Sequence, residues 1–541
     1  MRKSGAEITV SILCEQGIRH IFGYPGGQVL PIYEALRCTP EITHILTANE
    51  QGAAHAADGY ARASGKIGAV LATSGPGATN LITGLAAAYA DSVPMIALTG
   101  NVPRSLVGRD GFQEVDTWGL SIPVTKHSFL VRTVDELADT LRRAFVIAQS
   151  GRPGPVLIDI PKDVQTDTAE YTPMPPVTLR EPPRCGDSQL AEAAKLIAAS
   201  HRPYIYCGGG CVISHACHRI EALAELIDAP IGTSMMGLSS VPEKNPRKLG
   251  MQGMHGRYAA SAALEEADLL LALGVRFSDR SHTVTGKRII HIDIDAAEID
   301  KNIPAYLGII GDLSESLDRL NPLLKKQKHP VWRRRLRELK AAEAEQTAEY
   351  SAPMHPAALI RQVSLSAPEA VFVTDVGQHQ IWAAQACVLN RSRAFLTSGG
   401  LGAMGFGMGA ALGAAAATGR RAVLFTGDGS FGMNAPELAA AVSQRLPVTV
   451  IVFNNGSLGM IRQWQDAVYA GSRFACDLPK TDFAKLAEAY GAKGWAVQTA
   501  EQFTAALQRA LRTETPTLID CRISPEWNVI PMLIHPDMPL E

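Results

Sequence analysis

The chain has almost no net charge, since 51 Lys and Arg stand against 53 Asp and Glu and leave a formal charge of -2. Nucleic acid and acidic membrane surfaces need a basic footprint, so this balance points to small-molecule partners instead. The one basic run, Arg333-Arg334-Arg335-Leu336-Arg337, is followed by Glu338, Glu343 and Glu345 and reads as a solvated linker helix. A disulfide framework is also missing. The nine cysteines are scattered without scaffold spacing, which suits free thiols in a reducing cytoplasm. Cys207, Cys211, His215, Cys217 and His218 invite a zinc reading, yet Gly208-Gly209-Gly210 after the apolar Ile205-Tyr206-Cys207 fits a strand-end loop better. Nor is there a signal-type or membrane-spanning run. The apolar stretch 8–13 is brief, and the uncharged stretch 399–419 is so rich in Gly and Ala that it suits tight helix packing. The expectation is a cytoplasmic protein with no membrane and no nucleic-acid partner.

What is present is apolar content, 46% over 541 residues, which is more than one hydrophobic core usually serves. Short apolar runs alternate with amphipathic helical patterns throughout, as in an α/β protein with mostly parallel sheets flanked by helices. Prolines 173, 175, 176, 182 and 183 mark one linker and the charged stretch 325–350 another. Three domains follow: 1–165, 189–325 and 356–541, joined by linkers 166–188 and 326–355. The stretches 73–101 and 426–454 align without a gap at an offset of 353, so the first and third domains are expected to share a fold by duplication. The copies differ where it matters. Gly427-Asp428-Gly429 and Asn454-Asn455 stand in the second, against Ser74-Gly75-Pro76 and Asn101-Val102 in the first.

Asp428 follows an apolar run, so its carboxylate is expected at the carboxyl edge of a parallel sheet, where ligands bind in such folds. The flanking glycines let backbone amides approach a phosphate, and the carboxylate suits a hard divalent cation that bridges to phosphate oxygens. Asn455 ends the next run and is placed to meet the same ion. A lone Gly-Asp-Gly also makes plain turns; here Gly399-Gly400-Leu401-Gly402 lies upstream and the paired asparagines follow.

These residues resemble the thiamine diphosphate enzymes, and the resemblance covers the whole chain. It is greatest to the catalytic subunits of the acetohydroxyacid (acetolactate) synthase family. It is carried by Asn49-Glu50-Gln51-Gly52 and the residues that follow to Arg62, by Thr73-Ser74-Gly75-Pro76-Gly77, by Gly377-Gln378-His379-Gln380 and by Leu458-Gly459-Met460-Ile461-Arg462-Gln463-Trp464-Gln465. The resemblance implies pyrimidine-binding, central flavin-binding and diphosphate-binding domains. It implies Mg²⁺ held by Asp428, Asn455 and the Ser457 carbonyl, and thiamine diphosphate held by Gln378, His379, Gln380, Gly402, Met404, Gly427, Gly429, Ser430, Leu458, Gly459 and Met460 as well.

Glu50 stands among alanines, where a buried carboxyl exchanges its proton nearer neutral pH; from local sequence alone it is equally a helix-start Glu favoured by the dipole. By resemblance it faces the cofactor's pyrimidine ring from the neighbouring subunit, together with Gly27, Phe112, Gln113 and Lys126. That makes a homodimer the minimal active unit, with a dimer of dimers and a small regulatory subunit left open. Lys126 reads equally as a solvated surface lysine, and Met404, the cofactor-wedging residue by resemblance, as core filler. Arg276 suits a bidentate clasp on an acceptor carboxylate, and Trp464 a broad apolar wall beside an acceptor alkyl group. The implied reaction is decarboxylation of pyruvate and transfer of its two-carbon unit to a second pyruvate or to 2-oxobutyrate, a step of branched-chain amino acid biosynthesis. Another thiamine diphosphate carboligase or oxidase is the alternative, and a non-catalytic homologue a more distant one.

Gly208, Gly209, Gly210, Met254, His255, Gly274, Arg276, Asp293, Ile294 and Asp312 punctuate the middle domain and resemble the site of a structural FAD in the same family. Two positions depart from the family pattern. Asn101 stands where Gln is usual and Ser278 where Asp is usual, which bears on substrate preference and flavin geometry.

Overall fold

The computed structural model describes residues 1–179, 181–281 and 286–532. The C-terminal segment 525–541, whose prolines and apolar residues suit an arm over the active site, therefore lies partly outside the described residues, as does part of the segment between Arg280 and His291. Three six-stranded sheets, parallel throughout, account for most of the strands. A two-stranded antiparallel ribbon, β1 (Arg2–Ser4) against β8 (Thr168–Glu170), completes the first unit and extends its hydrogen bonding to Glu170.

The first sheet contains β2 (His20–Tyr24), β3 (Thr43–Leu46), β4 (Gly68–Ala72), β5 (Met95–Asn101), β6 (His127–Leu130) and β7 (Pro155–Pro161), in the order β3-β2-β4-β5-β7-β6. The middle sheet contains β9 (Pro203–Cys207), β10 (Ile231–Thr233), β11 (Lys248–Met251), β12 (Leu269–Leu273), β13 (Arg288–Asp293) and β14 (Leu307–Ile310), in the order β11-β10-β9-β12-β13-β14. The third contains β15 (Val371–Thr374), β16 (Phe395–Leu396), β17 (Ala422–Gly427), β18 (Val448–Asn454), β19 (Lys493–Val497) and β20 (Thr517–Arg522), in the order β16-β15-β17-β18-β20-β19.

The first and third orders are the same when strands are counted within each unit, and the aligned stretches fall on matching elements. β5 and β18 end at Asn101 and Asn454, the partners in the offset repeat. The middle sheet runs 3-2-1-4-5-6 in its own count, the order of dinucleotide-binding folds. Strands such as β4 and β12 are buried along their whole length, as a parallel sheet covered by helices on both faces requires, and this explains their unbroken apolar sequences.

The Gly/Ala-rich stretch forms the helix Phe406–Thr418 and packs on the helix Glu50–Ser64 of the first unit. Backbones touch there: a Cβ on Gly409 would lie 2.6 Å from the Gly52 carbonyl, and those on Gly59 and Gly413 would collide with the carbonyls of Ala410 and Ala56. The linker 326–355 contains the helix expected around its basic run, but docked rather than free. Its helix Pro330–Gln346 docks on the middle unit through buried Trp332, whose indole donates to the Pro203 carbonyl at 3.2 Å, and through Glu343, which accepts from Arg257 Nε at 2.7 Å. Among the described residues no helix is long and apolar enough to cross a membrane, and all nine cysteines are free.

Candidate active site

The carboxyl edge of the third sheet opens into a cavity of about 1500 Å³ that continues along the middle sheet. Asp428 begins the helix Asp428–Asn434 directly after β17, and Asn455 follows β18, the neighbouring strand. The Asp428 carboxylate accepts from Gly456 N at 2.7 Å and Gly429 N at 3.1 Å, while Asn455 Oδ1 accepts from Ser457 N at 3.0 Å. Burial pushes the Asp428 carboxyl up to about 6. A cation bound at the cavity wall would offset that cost.

The chemistry of these residues is compatible with a hard divalent cation such as Mg²⁺. One carboxylate, one carboxamide oxygen and one main-chain carbonyl are hard oxygen donors, and among the described residues no cluster of three or more His, Cys, Asp or Glu could hold a metal alone. Mg²⁺ characteristically takes one or two carboxylates and completes its shell with phosphate oxygens and water. Beside Asp428, His379 is held between Gly377 and Gly427, and its buried Nε2 has no protein partner. Burial pushes this imidazole down to about 3, so it is neutral and one ring nitrogen can donate without carrying charge. Gln378 donates to Gln463 Oε1 at 2.9 Å and to the Trp527 carbonyl at 3.2 Å, leaving its own Oε1 unpartnered.

The cavity brings together most of the residues singled out in the sequence. Gln378, His379, Gln380, Gly402, Met404, Gly427, Asp428, Gly429, Ser430, Asn455, Ser457, Leu458, Gly459, Met460 and Trp464 line one end. Gly208, Gly209, Gly210, Met254, His255, Gly274, Arg276, Asp293, Ile294 and Asp312 line the other. Arg276 has no side-chain hydrogen bond or ion pair to any described residue, and desolvation lowers its affinity for the proton. An anionic guest would meet a cation that forms no side-chain hydrogen bond or ion pair with any described residue. Two flavin-site readings acquire a structural cause. Gly208 and Gly210 press against Gly274, where a Cβ on Gly208 would collide with the Gly274 carbonyl, so these glycines are needed for loop contact whatever binds. Asp312 caps the helix Leu313–Leu320 by accepting from Glu315 N at 2.9 Å. Of the two departures, Ser278 lines the cavity, whereas Asn101 turns inward and donates to buried Asp159 at 2.5 Å.

Five predicted residues stand elsewhere. Glu50, Gly27, Phe112, Gln113 and Lys126 do not line this cavity. The first four lie at the carboxyl edge of the first sheet, Gly27 in the loop after β2, Glu50 at the start of the helix after β3, and Phe112 and Gln113 in the loop after β5. Glu50 is buried and accepts from Asn80 Nδ2 at 2.9 Å, whereas Phe112 is 85% exposed. Lys126 is half-buried and donates to the Ser150 carbonyl, so it is not a fully solvated surface lysine.

Some positioning groups escaped the sequence reading. Asp91 reaches from the first unit to accept from Gly399 N at 3.0 Å and Gly400 N at 2.8 Å, holding the glycine loop that roofs the cavity. It is itself ion-paired at 2.9 Å with Arg62, which also pairs with Asp58 at 2.5 Å. Asp375, at the end of β15, accepts from Val376 N, Gly405 N and Gly407 N and so fixes the turn after Met404. The available signal was Asp58 and Arg62 at i,i+4 spacing inside an otherwise alanine-rich helix. Asp91→Ala leaves a buried Arg62 half-paired and two amides unbound. It is expected to cost on the order of 3 kcal/mol, read as a lowered denaturation midpoint, and to weaken cofactor retention.

The family described as thiamine pyrophosphate enzyme, N-terminal TPP binding domain, matches residues 3–120. Its central-domain counterpart matches 190–320 and its C-terminal TPP binding domain 375–521. The acetolactate synthase isozyme 1 large subunit of Escherichia coli is 43% identical over 98% of this chain and 96% of its own. The acetolactate synthase large subunit of Cyanidium caldarium is 42% identical over 98% and 95%. With nearly its whole length shared at this level, the chain belongs to the thiamine diphosphate enzymes and, within them, to the acetolactate synthase large-subunit family.

Proposed function

We infer that the chain condenses two 2-oxo acids with loss of carbon dioxide. Pyruvate gives up its two-carbon unit to a second pyruvate, forming 2-acetolactate, or to 2-oxobutyrate, forming 2-aceto-2-hydroxybutyrate. The observation that carries this reading is one cavity lined both by Asp428, Asn455 and Ser457 and by Arg276, which has no side-chain partner among the described residues. When bound, thiamine diphosphate supplies an acidic carbon that adds to the donor carbonyl and accepts the electron pair released by decarboxylation.

The chain's own residues do the rest. Asp428, Asn455 and the Ser457 carbonyl would hold Mg²⁺ against the diphosphate, and neutral His379 would donate to it. Met404 would pack against the bound cofactor from the cavity wall. Glu50, oriented by Asn80, would hold a proton on its carboxyl at the pyrimidine ring. Arg276 would pair with the acceptor carboxylate, and Trp464 would keep water from the alkyl side. FAD would lie along the middle sheet, whose strand order and glycine loops suit a dinucleotide.

A second copy of the chain would complete the site. Glu50, Gly27, Phe112 and Gln113 share an edge with the exposed apolar side chains Tyr24, Leu30, Leu46, Leu106 and Val107, a face suited to burial against another subunit. Whether such dimers pair, or take up a regulatory subunit, belongs to the same proposal. The free thiols suit a reducing compartment.

The test supplies purified protein with pyruvate, Mg²⁺ and thiamine diphosphate, with and without FAD and 2-oxobutyrate, and identifies the products. Acetolactate is expected; acetaldehyde or acetyl phosphate in its place would overturn the assignment. Trp464→Leu is expected to lower the preference for 2-oxobutyrate over pyruvate by about tenfold, the value of one methylene in an apolar pocket. An unchanged product ratio in competition would remove Trp464 from acceptor selection.

A further inference from the structure

Glu437 begins the helix Glu437–Ser443 in the third unit and is 0% exposed. Among the described residues its carboxylate has no cation partner. Both oxygens are turned instead on the backbone just ahead of Glu50. Ala48 N donates to Oε1 and Oε2 at 3.1 Å each, and Asn49 N donates to Oε1 at 3.2 Å. The contact continues into the first helical turn, where a Cβ on Gly52 would collide with the same carboxylate. Asn49 is the N-cap of the Glu50 helix, its Oδ1 accepting from Gly52 N at 2.7 Å. Its Nδ2 donates to Asn434 Oδ1 at 3.4 Å, and Asn434 donates at 2.6 Å to the carbonyl of Gly405, the residue after Met404.

We propose that Glu437 is a positioning residue for Glu50: the third unit of each chain, through this carboxylate, sets where the first unit's Glu50 carboxyl stands. The inference rests on the proposed role of Glu50. Glu50 is the first residue of its helix, so its carboxyl direction follows the backbone of residues 48–49, the part of the chain that Glu437 clasps. A buried carboxylate without a cation is a costly way to close two amides. Helix packing through Gly409 and Gly413 already joins the two units, so the clasp adds placement of the helix end rather than cohesion.

The test is a double-mutant cycle on the full-length protein with Glu437→Gln and Glu50→Gln. Glu437→Gln keeps the shape but sets an NH₂ against the Ala48 amide, where a carboxylate oxygen accepted before. Its kcat is expected to fall between about 10- and 100-fold, as for a catalytic group displaced by a fraction of an ångström, with KM for pyruvate and affinity for thiamine diphosphate unchanged. In the Glu50→Gln background the same change is expected to have no further effect. In the cofactor-free protein, hydrogen exchange in the peptide that spans Ala48 and Asn49 is expected to speed up. Full kcat in Glu437→Gln, or an undiminished extra loss in the double variant, would overturn the inference alone. Full turnover in Glu50→Gln would overturn the role of Glu50 and this inference with it. Should Glu437→Gln fail to fold, Glu437→Asp, which keeps the charge and withdraws it by one carbon, carries the same comparisons.

Discussion

Asp428→Ala is expected to leave a folded protein that no longer retains thiamine diphosphate. The carboxylate contributes little to the fold, since its partners are the amides of Gly429, at the cavity wall, and of half-buried Gly456. Its contribution to binding is large. It is the sole carboxylate in the proposed donor set, and Asn455 and the Ser457 carbonyl, both neutral, do not balance a divalent charge without it. Losing a group behind a metal ligand costs about 10- to 100-fold in affinity, so losing the charged ligand itself is expected to exceed about 100-fold. Calorimetric titration with thiamine diphosphate and Mg²⁺ measures this directly. A thermal shift supplies a second readout, because a ligand that binds only the native state raises the midpoint by mass action. Wild type is expected to show that rise and Asp428→Ala to lose it while keeping the cofactor-free midpoint. A rise that persists in the variant would mean that the metal is held elsewhere.

The cavity residues were legible because their chemistry is local. Asp428 and Asn455 each sit within a few residues of a strand end, and a strand followed by a glycine turn and a helix can be read from apolar spacing alone. The groups that hold this edge in place are long-range and were not legible. Asp91 meets Gly399 across 308 residues and Glu437 meets Asn49 across 388, and nothing in either local sequence names its partner. Strand order is hidden for the same reason. The duplication predicted one fold for the first and third units, but the 3-2-1-4-5-6 order of the middle sheet depends on which strands pair. The linker 326–355 was read from its polar composition, and Trp332 and Glu343, which dock its helix, are two buried residues in a stretch whose others mostly face water. Conversely, the glycines at 208 and 274 were read for a ligand, and the structure supplies a nearer cause in the contact between their loops.

Glu50→Gln is expected to lower turnover between about 100- and 10,000-fold, the usual contribution of a placed acid–base group, while thiamine diphosphate still binds. Glutamine keeps an oxygen for Asn80 Nδ2, now 2.9 Å from the carboxylate, and leaves the helix cap at Asn49 untouched, so the loss would report proton exchange rather than folding. Combined with Asp428→Ala, it also tests how the site is assembled. In a single chain Glu50 lies outside the cavity that contains Asp428. If each site takes Glu50 from one subunit and Asp428 from the other, a mixed dimer of the two variants contains one site with both residues altered and one with both intact. Random mixing makes half the dimers mixed, each with one working site of two, so activity is expected to recover to about a quarter of wild type. If instead both residues of a site came from one chain, every site in every mixture would lack one of them, and mixing two inactive proteins would restore nothing. Co-refolding the two variants and assaying acetolactate formation therefore separates the two arrangements by a result that neither variant gives alone.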